Sequence, residues 1–192
     1  MSNKLVIWDS ASVPNAVVLG KNSEFENPWE LRKGVSRINN WPADFRYEMD
    51  PDFPHDTLLV DNLINTHQTI VASPKLRAFL EARGLKKVEY LPVTILDHRG
   101  RPASTEYSIV HPIEPIDCLD LAASQPHFSA IDKTTIQRVK KLVIDEAKLD
   151  PQRELFRANG FGKVTFASRA LAQALDQAKF VGIQWKELAD YH

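Results

Sequence analysis

The sequence predicts a single α+β domain with a mixed or antiparallel sheet that contains two similar strand–Ser-capped helix–strand units. The first unit is Ile70 to Tyr90, IVASPKLRAFLEARGLKKVEY, and the second is Thr165 to Trp185, TFASRALAQALDQAKFVGIQW. They align without a gap, so that Ser73 of the first unit lies over Ser168 of the second. A chain of 192 residues, 43% of them hydrophobic, is long enough to bury the core of one such domain.

In the first unit, local signals mark the start and the end of a helix. Ser73 is a good N-cap, because its hydroxyl can accept a hydrogen bond from a backbone N–H of the first turn. Pro74 suits the first helical position, and Gly84 is typical of the residue that follows a helix. An apolar face at helical spacing is formed by Leu76, Phe79 and Leu80. Val88 and Tyr90 then alternate with charged residues, which predicts a half-buried strand.

The second unit follows the same pattern. The residues around Thr165 predict a strand, Ser168 caps the helix, and residues 180–185 form the closing strand. The predicted buried face of this helix consists of Leu171, Ala174, Leu175 and Ala178.

The N-terminal part of the chain predicts short strands followed by irregular structure. Leu5–Trp8 and Asn15–Leu19 are the two predicted strands. Residues 24–46 are rich in aromatic and turn residues, and we expect their aromatic side chains to anchor this stretch to the main body. We therefore divide the chain into an aromatic-rich segment, residues 1–54, and an α+β core, residues 55–192, which pack as one compact unit.

Between the two units, the sequence predicts a hairpin and a set of shorter elements. Residues 92–96 and 104–110 are β-rich runs on either side of a polar turn with Gly100. Residues 111–120 contain prolines and should be extended. We further predict a loop at residues 124–132, a strand within residues 138–148 around Leu142–Ile144, and a helical turn at residues 150–157.

The composition excludes several functions. Lys and Arg number 24 against 25 acidic residues, so no overall charge attracts nucleic acid or an anionic membrane. No apolar run approaches the ~20 residues of a membrane helix, and the first residues lack the apolar stretch of a signal peptide. A cytoplasmic location is therefore expected. The usual glycine-rich phosphate loops are absent. The single cysteine, Cys118, is expected to be a small buried side chain.

The segment from Asp44 to Asp61 is the most strongly charged part of the chain. It holds six acids against one base, Arg46, and its two prolines indicate a loop over much of its length. Three interpretations are open: a solvated loop, an acidic surface for a partner, and a metal site. The third would use Asp50, Asp52, His55 and Asp56, but the segment lacks the glycine of an EF-hand and a helix to hold the ligands.

Short apolar motifs recur in a fixed order along the chain. In order, they are the helix start Val71 to Leu80, the strand that ends at Pro92, the pair Ile116-Asp117, the tripeptide Leu155-Phe156-Arg157, Ser168, and Gly182 with Trp185. This order resembles the immunity-protein family numbered eleven of bacterial polymorphic toxin systems, formerly a domain of unknown function. The resemblance covers roughly residues 55–187, and the first 50 residues match in length and aromatic content.

The resemblance implies a cytoplasmic antidote that binds a co-encoded toxin or effector protein and blocks it. It implies no cofactor, metal or catalytic residue. Acidic surfaces speed the encounter with proteins that act on anionic substrates. We therefore expect the acidic segment to belong to the partner-binding face, through Glu48, Asp50, Asp52, Asp56 and Asp61.

Two other classes of function remain open from the sequence. One is a small hydrolase-like enzyme that would use acids and histidines brought together by the fold, with His55, His67, His111 and His127 as candidates. The other is an adaptor that binds a secreted effector for loading. Protection of a cell that makes active toxin would distinguish immunity from the adaptor role.

Overall fold

The computed structural model describes residues 4–191 and builds them into a barrel, a sheet and a ribbon. The strands are β1 (Leu5–Ser10), β2 (Val18–Asn22), β3 (Arg46–Met49), β4 (Asn62–Asn65), β5 (Ile70–Ala72), β6 (Val88–Leu96), β7 (Pro102–Pro112), β8 (Pro126–Phe128), β9 (Ile136–Val139), β10 (Leu155–Ala158), β11 (Phe161–Ser168) and β12 (Ile183–Lys186). The helices are α1 (Trp29–Lys33), α2 (Pro74–Ala82), α3 (Leu121–Ser124) and α4 (Arg169–Gln177), with short 3-10 helices at Glu146–Lys148 and Leu188–Asp190. The predicted α+β class is confirmed.

The barrel is closed by six strands in the order β2-β3-β6-β7-β5-β4. Most neighbours are antiparallel, but β2 pairs with β4 and β3 pairs with β6 in parallel, so the sheet is mixed. Large side chains fill the interior, and those with no exposed surface include Leu19, Leu63, Leu91, Ile95 and Ile109. A barrel of this size has no room for a channel, because its interior is its core.

The second sheet has four strands in the order β10-β11-β1-β12. The N-terminal strand β1 lies inside this sheet, between β11 and β12, and is antiparallel to both. This sheet therefore joins residues near the two ends of the chain. The division of the chain into a segment of residues 1–54 and a core of residues 55–192 stays a prediction.

The two similar sequence units have the same topology. In the first, α2 connects β5 to β6, and β7 lies between these two strands. In the second, α4 connects β11 to β12, and β1 lies between them. Each is a split βαβ unit, in which a third, antiparallel strand separates two parallel strands.

Both predicted serine caps are present. The Ser73 Oγ accepts a hydrogen bond from the Leu76 N–H at 3.2 Å, and the Ser168 Oγ accepts one from the Leu171 N–H at 3.0 Å. Each hydroxyl then donates its own proton to a carboxylate, Ser73 to Asp61 at 2.8 Å and Ser168 to Glu154 at 2.9 Å.

These two acids also join the units to each other. Asp61 accepts a second bond at 3.0 Å from the backbone N–H of Val181, which follows α4. Glu154 accepts a bond at 2.7 Å from the guanidinium of Arg83, which follows α2. Asp61 therefore binds the start of α2 and the chain just after α4, and Glu154 binds the start of α4 and the chain just after α2.

The two serine-capped helices, α2 and α4, share one core. Their buried side chains pack in a single cluster between the barrel and the four-stranded sheet, with members that include Leu76, Leu80, Leu171, Ala172 and Leu175. Phe79 and Phe180 add an edge-to-face ring contact with centroids 5.2 Å apart. Within residues 4–191, no helix is long and apolar enough to cross a membrane.

The structure confirms the β6–β7 hairpin and corrects other sequence expectations. The strand predicted around Leu142–Ile144 is wrong, because strand β9 ends at Val139 and this run makes one isolated bridge, Leu119 to Ile144. The helical turn predicted at residues 150–157 is also wrong. Its second half is strand β10, which pairs with β11, and the predicted loop at 124–132 contains β8.

The aromatic-rich stretch is partly ordered by the barrel. Phe25, Trp41 and Phe45 form a ring cluster, with the Trp41 and Phe45 centroids 4.5 Å apart, and they pack against the barrel core. Trp29 is an exception, since it begins helix α1 and 56% of its surface is exposed.

Replacing Asp61 by Ala should lower the free energy of unfolding by about 1–3 kcal/mol, because the hydroxyl of the buried Ser73 and the backbone N–H of Val181 lose their acceptor. Urea denaturation measures this change. The control is Asp52→Ala, whose exposed carboxylate accepts no internal hydrogen bond within residues 4–191, and which should change stability by less than about 0.5 kcal/mol. Equal losses in the two variants would contradict the structural role of Asp61.

Candidate protein-binding surfaces

The acidic segment forms strand β3 and then a turn at the surface of the barrel. Period-two alternation along β3 buries Tyr47 and Met49 and turns Glu48 outward. The chain then turns through residues 50–56. Asp52 is exposed there, and Asp50 and Asp56 are half-buried.

Backbone contacts hold this turn in place. The carboxylate of Asp50 accepts a hydrogen bond from the Asp52 N–H at 3.0 Å, and the Phe53 N–H donates to the Asp50 carbonyl at 3.1 Å. The His98 ring, at the tip of the β6–β7 hairpin, lies 3.2 Å from the same carbonyl. Within the described part of the chain, the carboxylates of Glu48, Asp52 and Asp56 accept no internal hydrogen bond, so they are available to a partner.

Asp61 stands apart from the other four acids. Both of its carboxylate oxygens are occupied, one by the Ser73 hydroxyl and one by the Val181 N–H. The structure therefore gives this acid a role in the fold, and its contact with a partner stays a prediction.

The candidate histidines lie on different elements and have different neighbours. His55 and His127 are exposed, and His67 lies beside the hydroxyl of Tyr47 at 3.4 Å. Among residues 4–191, no group of three or more His, Cys, Asp or Glu side chains is arranged to hold a metal ion. Burial raises the pKa of the Cys118 thiol to about 11, so this side chain is a protonated core residue at neutral pH.

His111 is fully buried at the end of β7 and helps to anchor helix α1. Its Nε2 donates a hydrogen bond at 2.8 Å to the carbonyl of Val35, just after the helix. Burial lowers the pKa of this imidazole to about 4, and the neighbouring Arg157 contributes to the shift. Arg157, itself buried, donates to the carbonyl of Leu31, and burial lowers its pKa to about 10. Buried donors thus fix α1 against β7 and β10.

A cleft of about 850 Å³ opens beside this anchored helix. We call it the α1 cleft. One wall is α1, the other is the β8–β9 ribbon, and the turn between β10 and β11 lies between them. Its lining includes buried side chains such as Leu119, Ile136 and Ala158, and three large exposed ones, Trp29, Leu121 and Phe128. Sequence reasoning missed this cleft, because its walls come from segments that are distant in the chain.

Two glycines allow the walls to approach the turn closely. A Cβ at Gly162 would overlap the carbonyl oxygen of Arg32, so α1 rests directly on β11. A Cβ at Gly160 would lie 2.7 Å from the carbonyl oxygen of Thr134, so the β8–β9 loop rests on the same turn. Any larger residue would displace one wall.

A surface ion pair spans the two walls. The ammonium of Lys33, on α1, lies 3.0 Å from the carboxylate of Asp132, in the β8–β9 loop. Hydroxyls of Thr134 and Thr135 donate to the same carboxylate at 2.6 and 2.8 Å. These donors and Lys33 hold the pKa of Asp132 well below its usual range. The ion pair therefore links the two walls of the cleft at its surface.

The fold is a mixed α+β domain, and its two candidate surfaces are the acidic turn and the α1 cleft. Residues 7–190, nearly the whole chain, match the model of the immunity protein family Imm11. The chain belongs to this family, and the match includes most of the N-terminal segment. No curated protein matches the chain in a sequence comparison.

Acid should destabilise the protein through His111. Because its folded pKa of about 4 lies below the unfolded value of 6.5, the unfolded chain binds the extra proton. The stability that comes from the neutral imidazole is complete above pH 6.5 and is lost as the pH falls towards about 4. The expected loss from this group is on the order of 3 kcal/mol, measured by urea denaturation across that range.

The variant His111→Gln keeps an N–H donor for Val35 but does not titrate, so its stability should fall less over the same pH range. His55→Gln, at an exposed position, is the control and should retain the pH profile of the wild type. Identical profiles for His111→Gln and the wild type would disprove this assignment.

Proposed function

We propose that this protein is an immunity protein, which binds a cognate bacterial toxin and neutralises it by covering a surface that the toxin needs. The observation that carries the proposal is the family match over residues 7–190. The protein acts as a binding protein, without a cofactor and without catalysis, in the cytoplasm of the cell that makes the toxin.

The acidic segment is the proposed first contact with the toxin. The carboxylates of Glu48, Asp52 and Asp56 accept no internal hydrogen bonds within residues 4–191, and Asp50 lies in the same turn. A toxin that acts on an anionic substrate carries a basic surface, and an acidic partner is attracted to such a surface before contact. A tight complex needs about 800 Å² of buried surface on each side, so this turn would supply part of the interface.

Co-expression with the toxin encoded by the adjacent open reading frame tests the function. Growth is scored first, and complex formation is then measured by size-exclusion chromatography. Rescue with a stable complex is expected for an antidote that acts by occlusion. Rescue without a complex would indicate an enzyme that reverses the toxin's effect. Binding without rescue would indicate an adaptor that carries a secreted effector.

Replacing Asp50, Asp52 and Asp56 together by Asn should slow association with the toxin and flatten its dependence on salt, because the three charges steer the encounter. Stopped-flow association at several salt concentrations measures both effects, and about tenfold slower association at low salt is expected. Glu106→Gln, at an exposed position of β7 outside the acidic segment, is the control for loss of a negative charge. Unchanged association of the triple variant at low salt would remove the acidic segment from the interface.

A further inference from the structure

The α1 cleft gathers exposed apolar side chains that the fold itself does not use. Trp29 is 56% exposed, Leu121 is 49% exposed and Phe128 is 40% exposed, and all three line the cleft. Ile131, in the loop of the same ribbon, is 99% exposed. Clustered exposed apolar groups of this kind mark interaction sites, and Trp is enriched among the residues that dominate binding energy.

The charges around the cleft are predominantly positive. Arg32, Lys33 and Lys163 line it, against one acid, Asp117. Lys33 is paired with Asp132, and Asp117 is paired with Lys148 at 3.8 Å. Within residues 4–191, no acidic side chain pairs with Arg32 or Lys163, and both are exposed. The cleft therefore offers two uncompensated cations beside an apolar floor.

We propose that the α1 cleft binds an extended segment of the toxin, which places an apolar side chain against Trp29, Leu121 and Phe128 and acidic groups near Arg32 and Lys163. This inference rests on the proposed function and adds a second contact to the acidic segment. The occupant is chosen by charge complementarity, because a segment that is both apolar and acidic satisfies both features of the cleft.

The rigidity of the cleft supports this role. Its walls are fixed by the close approach at Gly160 and Gly162, by the Lys33–Asp132 pair, and by the buried donors under α1. A site that is already formed orders few groups of its own on binding, so more of the contact energy appears as affinity. The proposed order of events is attraction by the acidic turn, followed by insertion of the toxin segment into the cleft.

The test uses the full-length protein and a catalytically inactive form of the toxin encoded beside it, with affinity measured by isothermal titration calorimetry. Leu121→Ser and Phe128→Ser should each weaken binding about tenfold or more, as expected for truncation of a central apolar contact. The matched control is Ile38→Ser, which removes a 50% exposed apolar side chain outside the cleft. The control should bind as the wild type does.

Charge reversal supplies an independent readout. Lys163→Glu should weaken binding and reduce its salt dependence, whereas Lys86→Glu, at an exposed position between α2 and β6, should do neither. The five positions substituted by serine or glutamate, in the cleft and in its controls, are all exposed, so the variants should fold. Urea denaturation verifies this before binding is measured.

The outcomes separate the two proposals. If the wild-type protein binds the toxin and the cleft variants bind it with the same affinity, the proposed role of the cleft is overturned and the immunity function is left intact. No binding by the wild-type protein would overturn both. A homodimer that is detected by light scattering and is lost in Leu121→Ser would assign the cleft to a second copy of the chain and overturn the proposal. Weaker binding in the cleft variants, with wild-type affinity in the control variants, would establish the proposal.

Discussion

The fold depends on two carboxylates that each hold a helix start and the end of the other helix. Asp61 binds the cap of α2 and the chain after α4, and Glu154 binds the cap of α4 and the residue after α2. Because each carboxylate has two oxygens, one acid can satisfy a serine hydroxyl and a second donor together. This reciprocal arrangement fixes the two split βαβ units relative to each other over a shared apolar core. These contacts help to position the barrel against the four-stranded sheet, together with the apolar core between them.

The elements that the sequence predicted well are those with local signals. A serine cap, a proline in the first turn and a glycine after the last turn are enough to locate α2. Helix α4 was located by its serine cap, the helical spacing of its apolar residues and its alignment with the first unit. The alternation of the β6–β7 hairpin also lies within a short stretch of chain. Strand β10 was missed because Leu155 to Ala158 become a strand by pairing with β11, which local propensity does not reveal.

The candidate surfaces show the same limit. Charge in the sequence identified the acidic segment, but it could not distinguish Asp61 from Asp52. Asp61 has partners at the cap of α2 and in the loop after α4, whereas Asp52 remains exposed. The α1 cleft had no signal in the sequence, because Trp29, Leu121 and Phe128 come together only when α1, α3 and the ribbon are in place. The role of Gly160 and Gly162 could not be predicted either, because it depends on opposing backbone segments that only the fold brings close to them.

Hydrogen–deuterium exchange on the protein, with and without one equivalent of inactive toxin, is the most direct measurement of the proposed interface. Occlusion through the two surfaces predicts slower exchange in the turn at residues 50–56, in α1 and in the β8–β9 ribbon. It predicts little change in α2 and α4, which the core and the reciprocal carboxylates already protect. Slower exchange confined to α2 and α4, or no change anywhere despite a stable complex, would contradict both surfaces.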